Sequence, residues 1–195
     1  ADRWKDHFFT PDEFGTIRQF LKDNSDKNIY FCPHGFNRRV RQKGEAVIPN
    51  LLYADLDFAD PKGFKPKPTI VIESSPGRFV GIWILKGKPP EDWEALNRRL
   101  TYHVGADHGG WDLTQVLRFP GTKNYKYSSQ PKVRVLWDDG KEYLVSSIEH
   151  YLPEEDPEKN AEGLSASEVF EQYQGKLPRW VRRELLSKKI VGRTD

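Results

Sequence analysis

Apolar positions along the chain switch period several times, and each switch predicts an element. Phe14, Ile17, Phe20 and Leu21 recur at helical spacing to about residue 22, which predicts an amphipathic helix. Thr10-Pro-Asp-Glu13 precedes it: Thr10 can cap, Pro11 suits the first turn, and Glu13 completes a capping box. Asn28-Ile-Tyr-Phe-Cys32 reads as a strand. Residues 46–57 hold the central strand, ending in Asn50-Leu-Leu-Tyr-Ala-Asp-Leu-Asp57. Thr69-Ile-Val-Ile-Glu73 is nearly continuous in apolar residues, as in a sheet covered on both faces. Ser74-Ser-Pro-Gly-Arg78 then turns the chain into Phe79-Val-Gly-Ile-Trp-Ile-Leu85, a hairpin with a five-residue polar turn. Pro89-Pro-Glu-Asp opens a helix whose stripe is Trp93, Leu96, Leu100 and Val104. Residues 133–137 and 142–145 flank Asp138-Asp-Gly140, which predicts a terminal hairpin. Residues 153–162 are polar and bear prolines, a linker composition. Residues 165–173 and 177–188 read as two short helices, the second with a basic face of Arg179, Arg182, Arg183, Lys188 and Lys189.

Composition narrows the classes. A chain of 195 residues is long enough for one good core. Its net charge is only +2, so any nucleic-acid surface must be a local patch. The single cysteine, Cys32, excludes an internal disulfide and fits a reduced, cytoplasmic compartment. No run of about 18 apolar residues marks a membrane span, and no signal peptide is visible. The chain starts at Ala1 and contains no Met, so it reads as an excised piece of a longer protein. Aromatics make up 13%, with six Trp, enough to supply stacking platforms as well as core.

The candidate chemistry begins where the central strand ends. Residues i and i+2 of a strand share a face, so Asp55 and Asp57 project together. Two such carboxylates repel and lose hydration unless a cation compensates them. Oxygen ligands suit Mg²⁺ or Mn²⁺; the plainer reading is a surface strand end with two solvated acids. Ser75, Gly77 and Arg78 offer hydroxyl, backbone N–H and guanidinium donors to a phosphate, although Ser-Ser-Pro-Gly is also ordinary turn composition. Residues 112–126, Asp-Leu-Thr-Gln-Val-Leu-Arg-Phe-Pro-Gly-Thr-Lys-Asn-Tyr-Lys, bring a third acid, Asp112, with Arg118, Lys123 and Lys126 beside it. Asp112 followed by Gln115 is a capping pattern too, and Asp107 competes for the role of third acid. Together the three stretches suit a nucleoside triphosphate with two metals roughly 4 Å apart. Residues 33–45 form a basic loop with Arg38, Arg39, Arg41 and Lys43, either a solvated surface or a phosphate-contacting arm. Trp111 and Tyr125 are candidates for stacking on a base.

In this order, Tyr-Ala-Asp-Leu-Asp, Ser-Ser-Pro-Gly-Arg and Trp-Asp-Leu-Thr-Gln-Val-Leu-Arg-Phe-Pro-Gly-Thr-Lys-Asn-Tyr-Lys, the chain resembles the archaeo-eukaryotic primase (AEP) superfamily. It is most similar to the phage and plasmid primase-polymerases of the RepB-like branch, over residues 28–145. The resemblance implies an α+β fold: an RNA-recognition-like catalytic core with a mixed central sheet, flanking helices and a smaller N-terminal subdomain. It implies a catalytic domain at 1–152, a linker at 153–162 and a helical appendage at 163–195. Metal ligands and catalytic acids would be Asp55, Asp57 and Asp112. Nucleotide contacts would be Ser74, Ser75, Gly77, Arg78 and Arg118, and DNA contacts Arg38, Arg39, Arg41, Lys43, Lys123 and Lys126. The cofactor would be a pair of Mg²⁺ or Mn²⁺ ions without zinc. Expected partners are single-stranded or primed DNA and (d)NTPs, with a helicase domain or C-terminal region in the full-length protein. If the chain is phage-encoded, its compartment is the host cytoplasm.

Two departures stand out. Many members carry a histidine in the second motif, yet no histidine lies between His34 and His103. Val80 occupies about that place, and Arg78 is the available substitute. The family's short zinc motif is absent, since one cysteine cannot build it. Template-directed nucleotidyl transfer is therefore the first expectation. A non-catalytic replication-origin DNA-binding module and an Asp-x-Asp glycosyltransferase are the alternatives, while a rolling-circle nickase lacks its paired histidines.

Overall fold

The computed structural model describes residues 4–154. The two helices expected at 165–188, and nearly all of the expected linker, lie outside the described residues. In chain order the elements are α1 (Phe14–Asp23), β1 (Tyr30–Phe31), β2 (Leu51–Asp57), β3 (Ile70–Ser75), β4 (Arg78–Leu85), α2 (Trp93–His103), β5 (Leu117–Arg118), β6 (Arg134–Asp138), β7 (Glu142–Tyr143) and α3 (Val145–Glu149), with 3₁₀ turns at Lys43–Glu45 and Pro61–Gly63.

The N-terminal capping signal is half used. The Thr10 N–H and Oγ1 both donate to the Glu13 carboxylate, at 2.6 and 2.9 Å, while Pro11 and Asp12 form a separate turn and helical structure begins at Phe14. Of the α1 stripe, Phe20 is met by the preceding residues, 4.6 Å from the His7 ring and 5.4 Å from the Phe9 ring, while Phe14 is exposed. β1 pairs antiparallel with β5 in a small sheet of its own.

The main sheet runs β2-β4-β3-β6, all antiparallel, with β7 parallel to β4. It is therefore the mixed sheet of an α+β fold. The β3–β4 turn is tighter than the sequence predicts. Ser75 pairs with Arg78, so Ser74, Ser75 and Arg78 belong to strands and only Pro76-Gly77 turns. Pro fixes its own φ, and Gly77 takes the left-handed φ of 74° that the turn requires. The second expected hairpin does not form. The Asp138 and Asp139 side chains accept from the backbone N–H groups of Gly140 and Lys141 at 3.1 Å. The Asp-Gly turn thus exists, but it carries the chain past the start of β3. β7 then fills the place beside Ile84 and Leu85 of β4 that β3, starting at Ile70 opposite Ile82, leaves open.

The core explains the apolar runs. Leu52, Tyr53, Ala54, Val71 and Trp83 are fully buried, and Trp93, Leu96, Leu100 and Ile148 join them from the helices. Gly81 is required by packing: a Cβ there would meet the Trp83 ring at 2.8 Å and Leu56 Cδ1 at 3.2 Å. The edge of β2 facing away from β4 is closed by borrowed partners. Tyr53 N–H donates to Asn97 Oδ1 (2.9 Å), Trp93 Nε1–H donates to Leu51 O (2.8 Å), and Asp107 N–H donates to Asp55 O (2.9 Å). A buried strand edge needs such partners, and these fix the position of β2 as it enters the site.

Candidate active site

β2, expected from the sequence as the central strand, is an edge strand paired with β4 alone, and it delivers its two acids through an irregular end. Asp55 pairs with Val80, yet Asp57 pairs with Phe79, so Leu56 is an extra residue that bulges the strand. Asp57 has φ 45°, a left-handed conformation that Asp tolerates better than most residues. The Asp57 N–H points back at Asp55 Oδ1, at 3.4 Å. Despite the bulge, both carboxylates line one cleft.

The second stretch forms the facing wall, where Ser74, Ser75 and Arg78 line the same cleft. Arg78 Nη1 donates to Asp57 Oδ1 at 2.5 Å, and its guanidinium lies 4.3 Å from the ring centroid of Phe58, itself 70% exposed. Gly77 does not line the cleft; its N–H donates to Glu73 Oε1 (3.2 Å). Arg134 bonds that same glutamate and holds its carboxyl below the usual range. Val80, the residue at the missing histidine's place, sits directly across the ladder from Asp55.

The third stretch closes the cleft with Arg118, Asn124, Lys126 and Tyr127. Asn124 is the hinge pin, 2% exposed. Its Nδ2 donates to Ser74 O (2.9 Å), and its Oδ1 accepts from Lys126 N–H (3.1 Å). Asp112 is not among the lining residues. Its Oδ1 accepts from both Thr114 N–H (2.8 Å) and Thr114 Oγ1 (2.7 Å), so it caps a turn. It stands near β2 all the same, because the Tyr53 hydroxyl donates to Asp112 O at 2.5 Å.

Electrostatics set Asp55 apart. Burial, and then the neighbouring Asp57 charge, push the Asp55 carboxyl above its ordinary range, with Asp107 adding to the rise and Arg78 opposing it. Asp107, not Asp112, is thus the third acid whose charge reaches Asp55, and its backbone is bonded to that residue. Among the described residues no group of three or more His, Cys, Asp or Glu side chains is disposed to hold a metal ion. The chemistry of the donor pair does suit a hard divalent cation: two oxygen-bearing groups, one partly buried and strained toward neutrality. Arg78 supplies the compensating charge here.

The other predicted contacts divide. Lys126 lines the cleft and Lys123 lies on an exposed bridge opposite Lys132. In the basic loop Arg38 pairs with Glu45 (3.5 Å), Arg41 with Asp6 (3.2 Å) and Lys43 with Glu94 (2.5 Å), while Arg39 is exposed. Trp111 lies 4.9 Å from the Arg98 guanidinium, the Tyr125 hydroxyl donates to Ser25 O (2.7 Å), and neither ring lines the cleft. Sequence reasoning passed over Phe58, Asn124 and Tyr127. Asn124 and Tyr127 lie in or next to the third motif, and Phe58 follows the second acid directly.

This α+β core places two acids at the end of β2, the edge strand of the main sheet, and cations on the adjoining β3–β4 hairpin and the third stretch. The chain belongs to the family described as RepB DNA-primase N-terminal domain, whose model matches residues 54–151 and so takes in all three stretches. It is 29% identical over 164 residues to a replication protein of Clostridium perfringens, covering 72% of this chain and 40% of that protein. The chain therefore spans well under half the length of that relative. Among solved structures it is similar to the AEP domain of the cyanophage S-2L primase-polymerase, with TM-score 0.59, 17% identity and coverage of 74% of this chain and 79% of that one. It is also similar to the catalytic domain of primase RepB′ in complex with initiator DNA, with TM-score 0.53, 18% identity and coverage of 77% and 78%. At these identities the structural likeness is one of fold.

Proposed function

We propose that this chain carries out template-directed nucleotidyl transfer as the catalytic module, residues 1–152, of a replication primase-polymerase. One observation supports it above the others. Three stretches separated in sequence, around Asp55, Ser75 and Asn124, converge on one cleft with acids on one wall and Arg78, Arg118 and Lys126 around them. In the reaction a primer 3′-hydroxyl, or that of a first nucleotide, attacks the α-phosphate of an incoming (d)NTP, and pyrophosphate leaves. Asp55 and Asp57 are the acids that would hold Mg²⁺ or Mn²⁺, which supplies Lewis-acid activation and neutralises the leaving charge. The third acid is Asp112 by resemblance and Asp107 by proximity of charge. Ser75 and Arg78 hold the triphosphate, with Arg118 beside them, and Arg78 changes partner from Asp57 to phosphate when a cation takes its place. Asn124 keeps the two walls in register. Template DNA is the macromolecular partner, and a helicase or further C-terminal region belongs to the full-length protein.

The test is extension of a labelled primer on single-stranded template with dNTPs and Mg²⁺ or Mn²⁺. Asp57→Asn should lower incorporation by about a hundredfold or more, since even outer partners of metal ligands are worth 10–100-fold. Normal extension in that variant would remove the acid pair from the mechanism. Comparing Asp112→Asn with Asp107→Asn assigns the third acid. A second reading has one observation behind it: Asp57 is already neutralised by Arg78, as in a fold that binds replication-origin DNA without chemistry. That reading predicts tight DNA binding, indifferent to Asp57→Asn, and no incorporation by the wild type.

A further inference from the structure

One feature outside the acid pair runs from the cleft to the N-terminal strap. Arg118 lines the cleft, and its guanidinium lies 4.8 Å from the centroid of the Tyr30 ring. The Tyr30 ring is 5.0 Å from the Trp4 ring, at an interplanar angle of 42°. The Arg41 guanidinium lies 5.4 Å from the Trp4 ring. Four planar groups thus succeed one another without a gap, drawn from β5, β1, the strap and the basic loop. Each is held in place. Arg118 Nη1 donates to Asn28 Oδ1 (2.7 Å), and Asp6 Oδ1 accepts from both Trp4 Nε1 (2.8 Å) and Arg41 Nε (3.2 Å).

The phenylalanine rings of residues 8 and 9 are more buried than the Trp4 ring. Phe8 and Phe9 are partly buried against Phe36 and Phe20, whereas Trp4 is 52% exposed at the end of the path. Half the largest apolar side chain is left in water at a point connected to the site. The charge pattern indicates what fits there. Arg41 is neutralised by Asp6, so the outer part of the path offers flat faces with little net charge. It is suited to bases more than to phosphates. Aromatic and guanidinium faces stack on unpaired bases of any sequence, while the bases of a duplex are already stacked on one another.

We propose that Arg118, Tyr30 and Trp4 form a stacking track for the unpaired bases of single-stranded nucleic acid on its way into the cleft. That the strand is a template rests on the nucleotidyl-transfer reading; that it is single-stranded and held by its bases does not.

Fluorescence anisotropy with labelled oligonucleotides, single-stranded and duplex, over a range of salt tests it without nucleotide or metal. Trp4→Ala and Tyr30→Leu should each weaken single-strand binding about tenfold, a typical loss for one stacked base, and leave duplex binding unchanged. The salt slope should stay constant in both, because stacking releases no counterions, whereas Lys126→Ala should lower it. Trp4→Phe should keep most of the affinity. Trp4 lies outside the core, so the tryptophan variants decide the matter if Tyr30→Leu fails to fold. Unchanged single-strand affinity, equal loss on duplex, or a reduced salt slope in Trp4→Ala would each overturn the track. A protein that binds single strands in this way yet incorporates nothing keeps the track and loses the polymerase reading. Primer extension by a Trp4→Ala variant with undiminished strand affinity does the reverse.

Discussion

Over residues 51–54 β2 is held on every side, while over residues 55–57 the same strand bulges, turns left-handed and places two acids in a cleft. In the first half Leu52, Tyr53 and Ala54 have no exposed surface. Their backbone partners come from β4 on one edge and from Asn97 and Trp93 on the other. In the second half Asp57 takes φ 45° and leans on Arg78, and Asp55 is protonated more readily than an ordinary aspartate. The difference teaches how a site is supported. The left-handed backbone and the like-charge repulsion fall in the three residues that follow a buried, hydrogen-bonded segment, the arrangement in which a strained site is supported by its surroundings.

The comparison breaks most sharply at Leu52. Leu52→Ala removes a wholly buried side chain and should cost about 2–5 kcal/mol of stability, read from denaturant unfolding, with any function lost only in step with the fold. A loss below about 1 kcal/mol would mean that the first half is not the anchor. Asn97→Ala is the next largest. It strips the Tyr53 N–H and the Trp111 carbonyl of their buried partners at 2.9 and 2.8 Å, and unpaired groups of this kind cost about 1–3 kcal/mol. Because Trp111 adjoins Asp112, this variant should also loosen the third stretch. Hydrogen exchange at the backbone of residues 111–115 should rise more than in Leu52→Ala at matched stability.

The anchored half was legible from sequence and the strained half only in part. Continuous apolar runs announced β2, β3 and β4, and the Trp93, Leu96 and Leu100 period announced α2, because burial and periodicity are written into residue type. The Asp55-x-Asp57 spacing announced two acids at one place. The bulge at Leu56 was invisible, since it depends on how β4 is paired and not on Leu56 itself. The charge partners were invisible too. Arg38, Arg41 and Lys43 read as either a solvated surface or a phosphate-contacting arm; Glu45 meets Arg38 from within the same loop, but Asp6 and Glu94 meet Arg41 and Lys43 across chain separations that no local pattern encodes. The Asp-Gly turn was read correctly as a turn and wrongly as a hairpin, because β7 is recruited by the open flank of β4 and not by β6. Trp4 and Tyr30 carried no signal as a pair until the fold set them 5.0 Å apart.

The smallest effect has the opposite sign, and it separates the halves most cleanly. In the folded chain the Asp55 carboxyl holds its proton more tightly than in the unfolded chain, through burial and the Asp57 charge. Folding is therefore favoured by this group below its unfolded pKa, near 4, and the favour is lost as pH rises through the raised folded value. At pH 7 the ionised Asp55 works against the fold. Asp55→Asn keeps an acceptor for the Asp57 N–H and removes the charge. It should stabilise the protein by about 1 kcal/mol at pH 7, or roughly 2–4 °C in melting temperature, with the gain shrinking as pH falls toward 4. A divalent ion supplies the second control. If Mn²⁺ binds the acid pair, it stabilises the wild type by mass action and leaves Asp55→Asn where it was, so the gap between the two closes. No gap at pH 7 would mean that Asp55 is an ordinary surface carboxylate, and a gap unmoved by both acid and Mn²⁺ would mean that it does not come from the Asp55 charge.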